Sequence, residues 1–390
     1  ILHTVELYHP SQGGMQEVVK QISERLVKLG HEVTVATTKL SERKNNVING
    51  VIIEEFAIEG NLVRGLKGEI EKYKEFLINS DFDIITNFAA QQWASDLAFD
   101  ILDRIKAKKV FVPTGFSGFY LPEYKNYFKK MKNWMKKYDM NIFLSDDYRD
   151  INFARKNRLK KIKLIPNGAS EEEFLGQNNV DIRGKLNIPK SHFLILHVGS
   201  HTGSKGHREA IQIFEKAKII NATFLIIGNS FGGGCTKYCF IKEKFFNFSP
   251  KRLSDNKRLI VASASREETV SAYKQADLFL FPSNIECSPI VLFECMASKT
   301  PFLTNDVGNA KEIINWSKSG LVLPIIKDKF GYSKAKTNEA IKILENIYRN
   351  TRRRKIMADS GFKVWINKYT WEKISKDYEE LYTYIAVQNN

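Results

Sequence analysis

The feature that most restricts the fold is a strand, a glycine loop and a helix in succession, and the chain contains this succession twice. The first copy has an apolar strand at Ile1–Leu7, the loop Pro10–Gly14 and a helix that ends at Gly30. The second copy starts with the strand Phe193–Val198 and a loop rich in glycine and serine. Apolar runs alternate with helical stretches after each copy, which is typical of a mostly parallel sheet covered by helices. The sequence therefore predicts an α/β protein with two Rossmann-like sheets.

The boundary between the two sheets is predicted close to Gly168, where the pattern gives way to an irregular acidic stretch. The 390 residues suit two domains, each large enough for its own core. We predict a first domain over 1–168 and a second over 169–368. Two such sheets in tandem place a cleft at the carboxyl ends of their strands, where α/β proteins bind ligands.

The most specific motif is the segment Phe281–Ala297, which has the pattern of a buried strand, a polar loop and the start of a helix. A helix start leaves backbone N–H groups without partners, and these groups favour an anion. Glu286 lies in the loop, and Glu294 lies two helical turns further on. One carboxylate can therefore meet a sugar while the other accepts hydrogen bonds from a ribose diol.

This segment resembles the signature of the retaining glycosyltransferases with the GT-B fold, the group 1 or family 4-like enzymes. In that family two glutamates lie between a Pro-Ser pair and a helix of small residues. The resemblance implies that Glu294 binds the ribose of a nucleotide diphosphate sugar and that Glu286 lies beside the donor sugar. It implies that the backbone amides of Ile290 and Val291 contact the diphosphate or the sugar. Pro289 departs from the commoner glycine and has no N–H to donate.

Two glycine loops resemble further parts of the same family. In the second loop, Lys205 corresponds to the lysine that neutralises the donor diphosphate, a role that suits a long, flexible ammonium group. The arginine that usually accompanies this lysine is missing, and the candidates for a second positive charge are His201, His207 and Arg208. In the first loop, Gly13 and Gly14 correspond to donor-binding glycines that let the chain approach a ligand closely.

The resemblance extends over nearly the whole chain, and it includes the C-terminal helix and the residues near the reacting carbon. Residues 369–390 are similar to the family's last helix, which packs back on the first domain. Many relatives carry a histidine near the reacting carbon, where this chain has Val112–Gly115. In this chain, the polar role of that histidine falls to Thr114, to the loop that follows it or to the donor phosphate itself. The resemblance implies that Glu286 and Lys205 act in catalysis.

The formal charge of +16 is concentrated on residues 125–163, which carry a net charge of +9. Within this segment, the predicted helix 123–138 has aromatic and methionine side chains on one face and lysines on the other. Such a stripe is first of all a core-packing face, and it also suits a helix at an anionic membrane surface. No recognised nucleic-acid-binding motif accompanies the patch, so nucleic acid is not an expected partner.

Cysteine usage and hydropathy indicate a soluble protein in a reducing compartment. Cys235 and Cys239 are the only cysteines close in sequence, and no histidine lies beside them at metal-ligand spacing, so we expect free thiols. Because neither an apolar run of about 18 residues nor a secretory signal is present, we expect a cytoplasmic location, with the inner face of the plasma membrane as a peripheral alternative. Neither a metal nor a cofactor is expected, because Lys205 and backbone dipoles can offset the charge of a diphosphate.

The predicted function is transfer, with retention, of a hexose-type sugar from a UDP-sugar or GDP-sugar to a glycan or lipid-linked acceptor. Surface polysaccharide or lipopolysaccharide synthesis is the pathway that the resemblance suggests. Two alternatives stay open. A nucleotide-sugar epimerase of the same fold would release an epimerised donor in the absence of acceptor. A non-catalytic basic module would bind nucleic acid or anionic lipid with a steep salt dependence.

Overall fold

The computed structural model describes residues 1–229 and 234–387, apart from the side chain of Lys251. The last three residues of the predicted C-terminal segment 369–390 therefore lie outside the described ranges. In chain order the strands are β1 (Leu2–Thr4), β2 (Thr34–Thr38), β3 (Val47–Ile48), β4 (Val51–Phe56), β5 (Ile58–Asn61), β6 (Gly65–Gly68), β7 (Ile84–Phe88), β8 (Lys108–Val112), β9 (Met140–Phe143), β10 (Ile162–Leu164), β11 (Phe193–Val198), β12 (Ala222–Ile227), β13 (Lys257–Ala262), β14 (Leu278–Phe281), β15 (Phe302–Asn305), β16 (Gly320–Leu323), β17 (Ile325–Lys327) and β18 (Ser333–Ala335).

The helices surround these strands and alternate with most of them. They are α1 (Gly14–Lys28), α2 (Ile70–Asn79), α3 (Trp93–Phe99), α4 (Lys125–Lys137), α5 (Arg149–Lys156), α6 (Glu171–Leu175), α7 (Ile182–Lys185), α8 (His207–Lys216), α9 (Thr236–Asn247), α10 (Pro250–Asp255), α11 (Arg266–Gln275), α12 (Ile290–Ala297), α13 (Ala310–Ser317), α14 (Thr337–Arg349), α15 (Thr351–Lys368) and α16 (Trp371–Val387). The chain divides into two compact units, Ile1–Asn167 with the segment from Trp371, and Gly168–Thr370. No helix in the described ranges is both long and apolar enough to cross a membrane.

The first unit is built on a sheet with the order β10-β9-β8-β7-β1-β2-β4-β3 across the described residues. Its strands are parallel except for the edge pair β3 and β4. Helix α16 packs against α1 and so closes this unit from the far end of the chain. The Tyr382 hydroxyl lies 2.6 Å from Thr86 Oγ1 and 3.1 Å from His3 Nε2. The last helix therefore packs on the first Rossmann-like unit, as the family resemblance implies.

The aromatic stripe on helix α4 packs into the core of the first unit. Tyr127, Met131 and Trp134 are all buried, and the Trp134 ring stacks on Phe99 with 4.6 Å between ring centroids. The stripe therefore serves as a core face. The lysines of α4 lie on the opposite, exposed face.

The second unit is built on a fully parallel sheet with the order β13-β12-β11-β14-β15-β16 in the described residues. The order of the strands reverses between β11 and β14, so the loops that follow these two strands leave the same edge side by side. Open α/β sheets bind ligands at such a point. The predicted α/β class with two Rossmann-like sheets is confirmed.

Candidate active site

The loop between β11 and α8 places Lys205 immediately before the helix. Gly206 caps α8 in a left-handed conformation with φ 74°. A Cβ on Gly206 would lie 2.0 Å from the carbonyl oxygen of Pro282, which belongs to the loop after β14. The absence of a side chain at residue 206 is therefore what lets the two loops come together.

The loop between β14 and α12 holds Glu286 opposite Lys205. The Lys205 Nζ donates to Glu286 Oε1 at 2.7 Å, and the Ser283 hydroxyl donates to the same oxygen at 2.8 Å. The ion pair is half-buried, with side-chain exposures of 29% for Lys205 and 11% for Glu286. The N–H of Asn284 donates to the carbonyl of Ser204 at 2.8 Å, which fixes the two loops to each other. The structure thus brings together the two residues predicted to act in catalysis.

Ile290 and Val291 form the first turn of α12, directly beyond the Glu286 loop. Pro289 is the N-cap, and within the described residues no side chain caps this helix start. The N–H groups of a first turn have no acceptor inside the helix, and together with the helix dipole they attract an anion. The structure therefore places the predicted backbone contacts where a diphosphate could be bound.

Glu294 lies one turn further along α12 and is buried, with its carboxylate paired to Arg266. The distance from Arg266 Nη2 to Glu294 Oε1 is 2.6 Å, and the side chains are 38% and 4% exposed respectively. Arg266 also donates to Glu173 from its Nε at 2.9 Å. Burial raises the pKa of Glu294, and the guanidinium of Arg266 counters part of that rise. The Glu294 carboxylate is therefore a hydrogen-bond acceptor in a fixed position, and its negative charge is paired with the guanidinium of Arg266.

Arg266 and Glu173, which form ion pairs beside Glu294, were not predicted from the sequence. The capping box of Ser265 and Glu268 starts α11 and so fixes Arg266 in its first turn. The sequence feature that could have indicated Arg266 is a basic residue that follows a strand and a capping serine.

The three candidates for a second positive charge are placed differently from Lys205. The rings of His201 and His207 are buried and stack on each other with centroids 4.4 Å apart. The guanidinium of Arg208 lies over the ring of Tyr238 at 4.8 Å. The structure therefore pairs Lys205, rather than any of these three, with the Glu286 carboxylate.

Gly13 and Gly14 belong to the first unit, where they begin α1. Gly13 is the N-cap residue of α1, and as a glycine it has no side chain that could cap the helix. A Cβ on Gly14 would meet nothing within 4 Å, whereas one on Gly13 would meet only the flexible end of Gln16. Packing within the unit thus leaves open space beside Gly14, which is compatible with the predicted approach of a ligand.

The loop after β8, where relatives carry a histidine, is a left-handed turn. Thr114, Gly115 and Phe116 have φ values of 56°, 94° and 52°. This conformation costs a residue other than glycine about 1–2 kcal/mol, and such strain concentrates at functional sites. Asp150 holds the turn, because its Oδ2 accepts a hydrogen bond of 2.8 Å from the N–H of Gly115. Burial raises the pKa of Asp150 to about 6.

Asp150→Asn should change how stability depends on pH. Because the folded-state pKa is above the unfolded value of 3.8, the contribution of Asp150 is fully present below pH 3.8 and is lost as the pH rises through about 6. Lowering the pH from about 7 to about 4.5 should therefore stabilise the parent chain relative to the variant by about 2 kcal/mol. Urea unfolding at both pH values measures this difference, and an equal pH response of the two proteins would contradict it.

Two family models match the chain. The model described as glycosyl transferases group 1 matches residues 178–354, and the model described as glycosyltransferase family 4 matches residues 12–173. The two matches follow each other along the chain and together take in most of it. The chain belongs to the group 1 glycosyltransferases.

Relatives of this glycosyltransferase cover a range of named activities. The lipopolysaccharide 1,2-N-acetylglucosaminetransferase of Salmonella typhimurium is 21% identical over 224 residues, which are 56% of this chain and 55% of that protein. The match thus spans about half the length of this curated relative. Sucrose-phosphate synthase of Thermosynechococcus elongatus has a TM-score of 0.78 at 17% identity, over 100% of this chain and 99% of that one. Anabaena Alr3699/HepE, in a complex with UDP and glucose, has a TM-score of 0.73 at 14% identity, over 98% and 99% of the two chains.

These comparisons confirm the predicted family and the predicted GT-B fold of the glycosyltransferase. The structural likenesses, all under 20% identity, bear on the fold alone. The roles assigned to Lys205, Glu286 and Glu294, to the amides of Ile290 and Val291, and to the two glycines stay predictions, and they are taken up below.

Proposed function

We propose that this glycosyltransferase moves a hexose-type sugar from a nucleotide diphosphate sugar to a glycan or lipid-linked acceptor, with retention of configuration. The observation that carries the proposal is the half-buried pair of Lys205 and Glu286 beside the open first turn of α12. A cation, a row of N–H groups and a fixed carboxylate are the groups that a sugar diphosphate needs. The buried Glu294 in the same helix adds an acceptor for a ribose diol.

In the proposed donor complex each charged group has a separate task. The Lys205 ammonium and the amides of Ile290 and Val291 offset the negative charge that develops on the departing diphosphate. Glu286, held by Lys205 and by the Ser283 hydroxyl, accepts hydrogen bonds from hydroxyls of the donor sugar. Because the two loops are held together by hydrogen bonds and Ile290 and Val291 belong to α12, these groups are already in place and little reorganisation is needed as the reaction proceeds.

The proposed reaction exchanges one bond at the anomeric carbon for another on the same face. The bond from this carbon to the diphosphate oxygen breaks, and its electron pair leaves with the diphosphate. The acceptor oxygen forms the new bond, and its proton passes to an oxygen of the diphosphate. The donor phosphate thus acts as the base, which is compatible with Thr114 standing where relatives carry a histidine.

We propose a UDP-sugar as the first donor to test and a GDP-sugar as the second. The structural neighbour Alr3699/HepE was solved in a complex with UDP and glucose, which supports this order. The related Salmonella enzyme is named for lipopolysaccharide, which supports a surface glycan or a lipid-linked glycan as acceptor.

The donor assignment is tested by thermal unfolding with UDP, GDP, ADP, CMP and their common sugars. One nucleotide diphosphate should stabilise the parent chain by about 2.7 kcal/mol when its concentration is 100 times the dissociation constant. Glu294→Ala should weaken this binding by roughly 10- to 100-fold, because hydrogen bonds to a charged group contribute about 1.5–3 kcal/mol. Stabilisation should therefore shrink in the variant at the same ligand concentration.

Glu345→Ala is the matched control, since Glu345 is a partly buried, ion-paired glutamate of the same unit on α14. It should keep the response of the parent chain to the nucleotide. No response of the parent to any nucleotide would remove the donor site and favour the basic binding module. Appearance of an epimerised sugar nucleotide without acceptor would favour the epimerase instead.

We propose that the protein works in the cytoplasm and meets an anionic membrane surface through the lysines of α4. The exposed lysines of this helix are Lys125, Lys129, Lys130, Lys132, Lys136 and Lys137. A lysine near an anionic surface contributes about 1 kcal/mol, so Lys132→Gln should weaken binding to phosphatidylserine vesicles about fivefold. Sedimentation with these vesicles at low salt measures the change. Equal binding to purely zwitterionic vesicles would contradict the proposal.

A further inference from the structure

Three possible metal-ligating side chains, none of them Lys205 or Glu286, meet in the second unit. His201 lies in the loop between β11 and α8, and Cys235 and Cys239 lie at the N-cap and in the first turn of α9. One nitrogen of the imidazole and both sulfurs lie within 4.8 Å of one another, and all three residues are buried. Because the cysteines are four residues apart at a helix start, their thiols project from the same side.

The separation of the ligand atoms fits a tetrahedral zinc ion. His201 Nδ1 and Cys235 Sγ are 3.5 Å apart. A tetrahedral ion with a Zn–S distance of about 2.3 Å and a Zn–N distance of about 2.0–2.1 Å holds its nitrogen and sulfur ligands roughly 3.5–3.6 Å apart. The observed spacing of this nitrogen and this sulfur therefore matches the spacing of two ligands around such an ion.

His207 packs beside the cluster but is not one of the three residues whose ligand atoms lie within 4.8 Å of one another. Its ring stacks on His201 with centroids 4.4 Å apart, and its Nε2 lies 3.1 Å from the carbonyl oxygen of Gly199. Since a carbonyl can only accept, Nε2 carries the proton and Nδ1 has a free lone pair. Because this ring is stacked on the ring of His201, its in-plane lone pair runs alongside that of His201 and does not point to the same ion. His207 therefore positions the ring of His201 and is not itself a ligand.

The backbone around the cluster is built to hold these ligands together. The N–H of Cys235 donates to the carbonyl of His201 at 3.4 Å. A Cβ on Gly234 would lie 1.7 Å from that carbonyl oxygen, so the chain before α9 is pressed against the β11–α8 loop. A Cβ on Gly228 would lie 3.2 Å from the His201 ring. Gly228 thus lies against the imidazole of His201, and Gly234 lies against its backbone carbonyl.

We propose that His201, Cys235 and Cys239 bind one zinc ion. Two sulfurs and one imidazole nitrogen are ligands that zinc prefers, and three protein ligands leave the fourth tetrahedral position to a water molecule. On binding, the two thiol protons pass to solvent and no electron is transferred. The ion links the loop that ends in Lys205 to the start of α9. The proposal does not depend on the glycosyltransferase reaction.

Cobalt titration of the full chain tests the site. After treatment with a chelator and a thiol reductant, the protein should bind one equivalent of Co²⁺ with the thiolate charge-transfer and intense visible bands of a tetrahedral sulfur site. Zn²⁺ should then abolish these bands, because such sites bind Zn²⁺ more tightly than Co²⁺. The absence of thiolate charge-transfer bands in the parent chain would overturn the proposal. So would a Cys235–Cys239 disulfide that persists in the reductant.

Variants assign the ligands. Cys239→Ser and His201→Ala should each weaken Co²⁺ binding by more than about 10-fold, which is the lower end of the loss seen when even an outer partner of a metal site is removed. Cys287→Ser, which changes a thiol outside the cluster, should bind Co²⁺ as the parent does. Equal loss in Cys287→Ser would overturn the assignment of the cysteines, and unchanged affinity in His201→Ala would overturn that of the histidine. If a ligand variant fails to fold, the spectrum of the parent chain still decides whether the site exists.

Discussion

Lys205→Ala should lower the rate of sugar transfer by about 10²- to 10³-fold. Removing one group that stabilises developing negative charge in a water-poor site typically costs this much. Lys205 is only 29% exposed and already donates to Glu286 at 2.7 Å, so its ammonium is held in place, in the position that we propose for binding of the departing diphosphate. The loss should fall mainly on kcat, because the charge on the diphosphate grows as the bond to the sugar breaks.

The measurement is the initial rate of UDP release with a saturating donor, in the parent chain and in two lysine variants. Lys216→Ala is the control, since Lys216 is an exposed lysine at the other end of α8. It should keep the rate of the parent. A Lys205→Ala enzyme with an unchanged kcat and only a raised KM would show that this lysine binds substrate and transition state equally, which would contradict the proposed role.

The two parallel sheets could be predicted because their signal is local. Strands such as Phe193–Val198 are continuous apolar runs, and the helices between them show one apolar face. Each pattern needs only a short window of sequence. The motif Phe281–Ala297 could be recognised in the sequence for the same reason, because its strand, its loop and the start of its helix follow one another without interruption.

The pairings inside the site could not be predicted, because they join residues that are far apart along the chain. Lys205 and Glu286 are 81 positions apart, and they meet only because β11 and β14 are neighbours in the sheet. Arg266 reaches Glu294 from the start of α11. The order of the strands decides which loops are adjacent, and the alternation of strands and helices does not specify that order.

The cluster of His201, Cys235 and Cys239 shows the same limit for metal ligands. A rule of sequence spacing searches for histidines beside cysteines, but His201 lies 34 positions before Cys235. Strands β11 and β12 are adjacent, so the loops that follow them bring these residues together.

Helix α4 illustrates a different limit, since an apolar stripe has the same sequence pattern whether it faces a core or a membrane. Burial of Trp134 in the first unit identifies the stripe as a core face.

Gly206→Ala should destabilise the protein by about 3 kcal/mol. Residue 206 has a φ of 74°, and an alanine in this left-handed conformation costs about 1–2 kcal/mol. The added methyl group would also lie 2.0 Å from the carbonyl oxygen of Pro282, so the two site loops must separate. Forcing an extra carbon into a packed region costs a further 1–3 kcal/mol or so. Urea unfolding of parent and variant, followed by tryptophan fluorescence, measures the loss.

Gly203→Ala separates the two causes, because Gly203 lies in the same loop and also has a positive φ, of 87°. A Cβ there would meet nothing within 4 Å. This control should therefore show only the conformational cost of about 1–2 kcal/mol. The excess loss in Gly206→Ala then measures how tightly the Lys205 loop is held against the loop after β14. Equal losses in the two variants would mean that the loops separate at no extra cost in stability. Lys205 and Glu286 would then stay paired only when a bound donor holds the loops together.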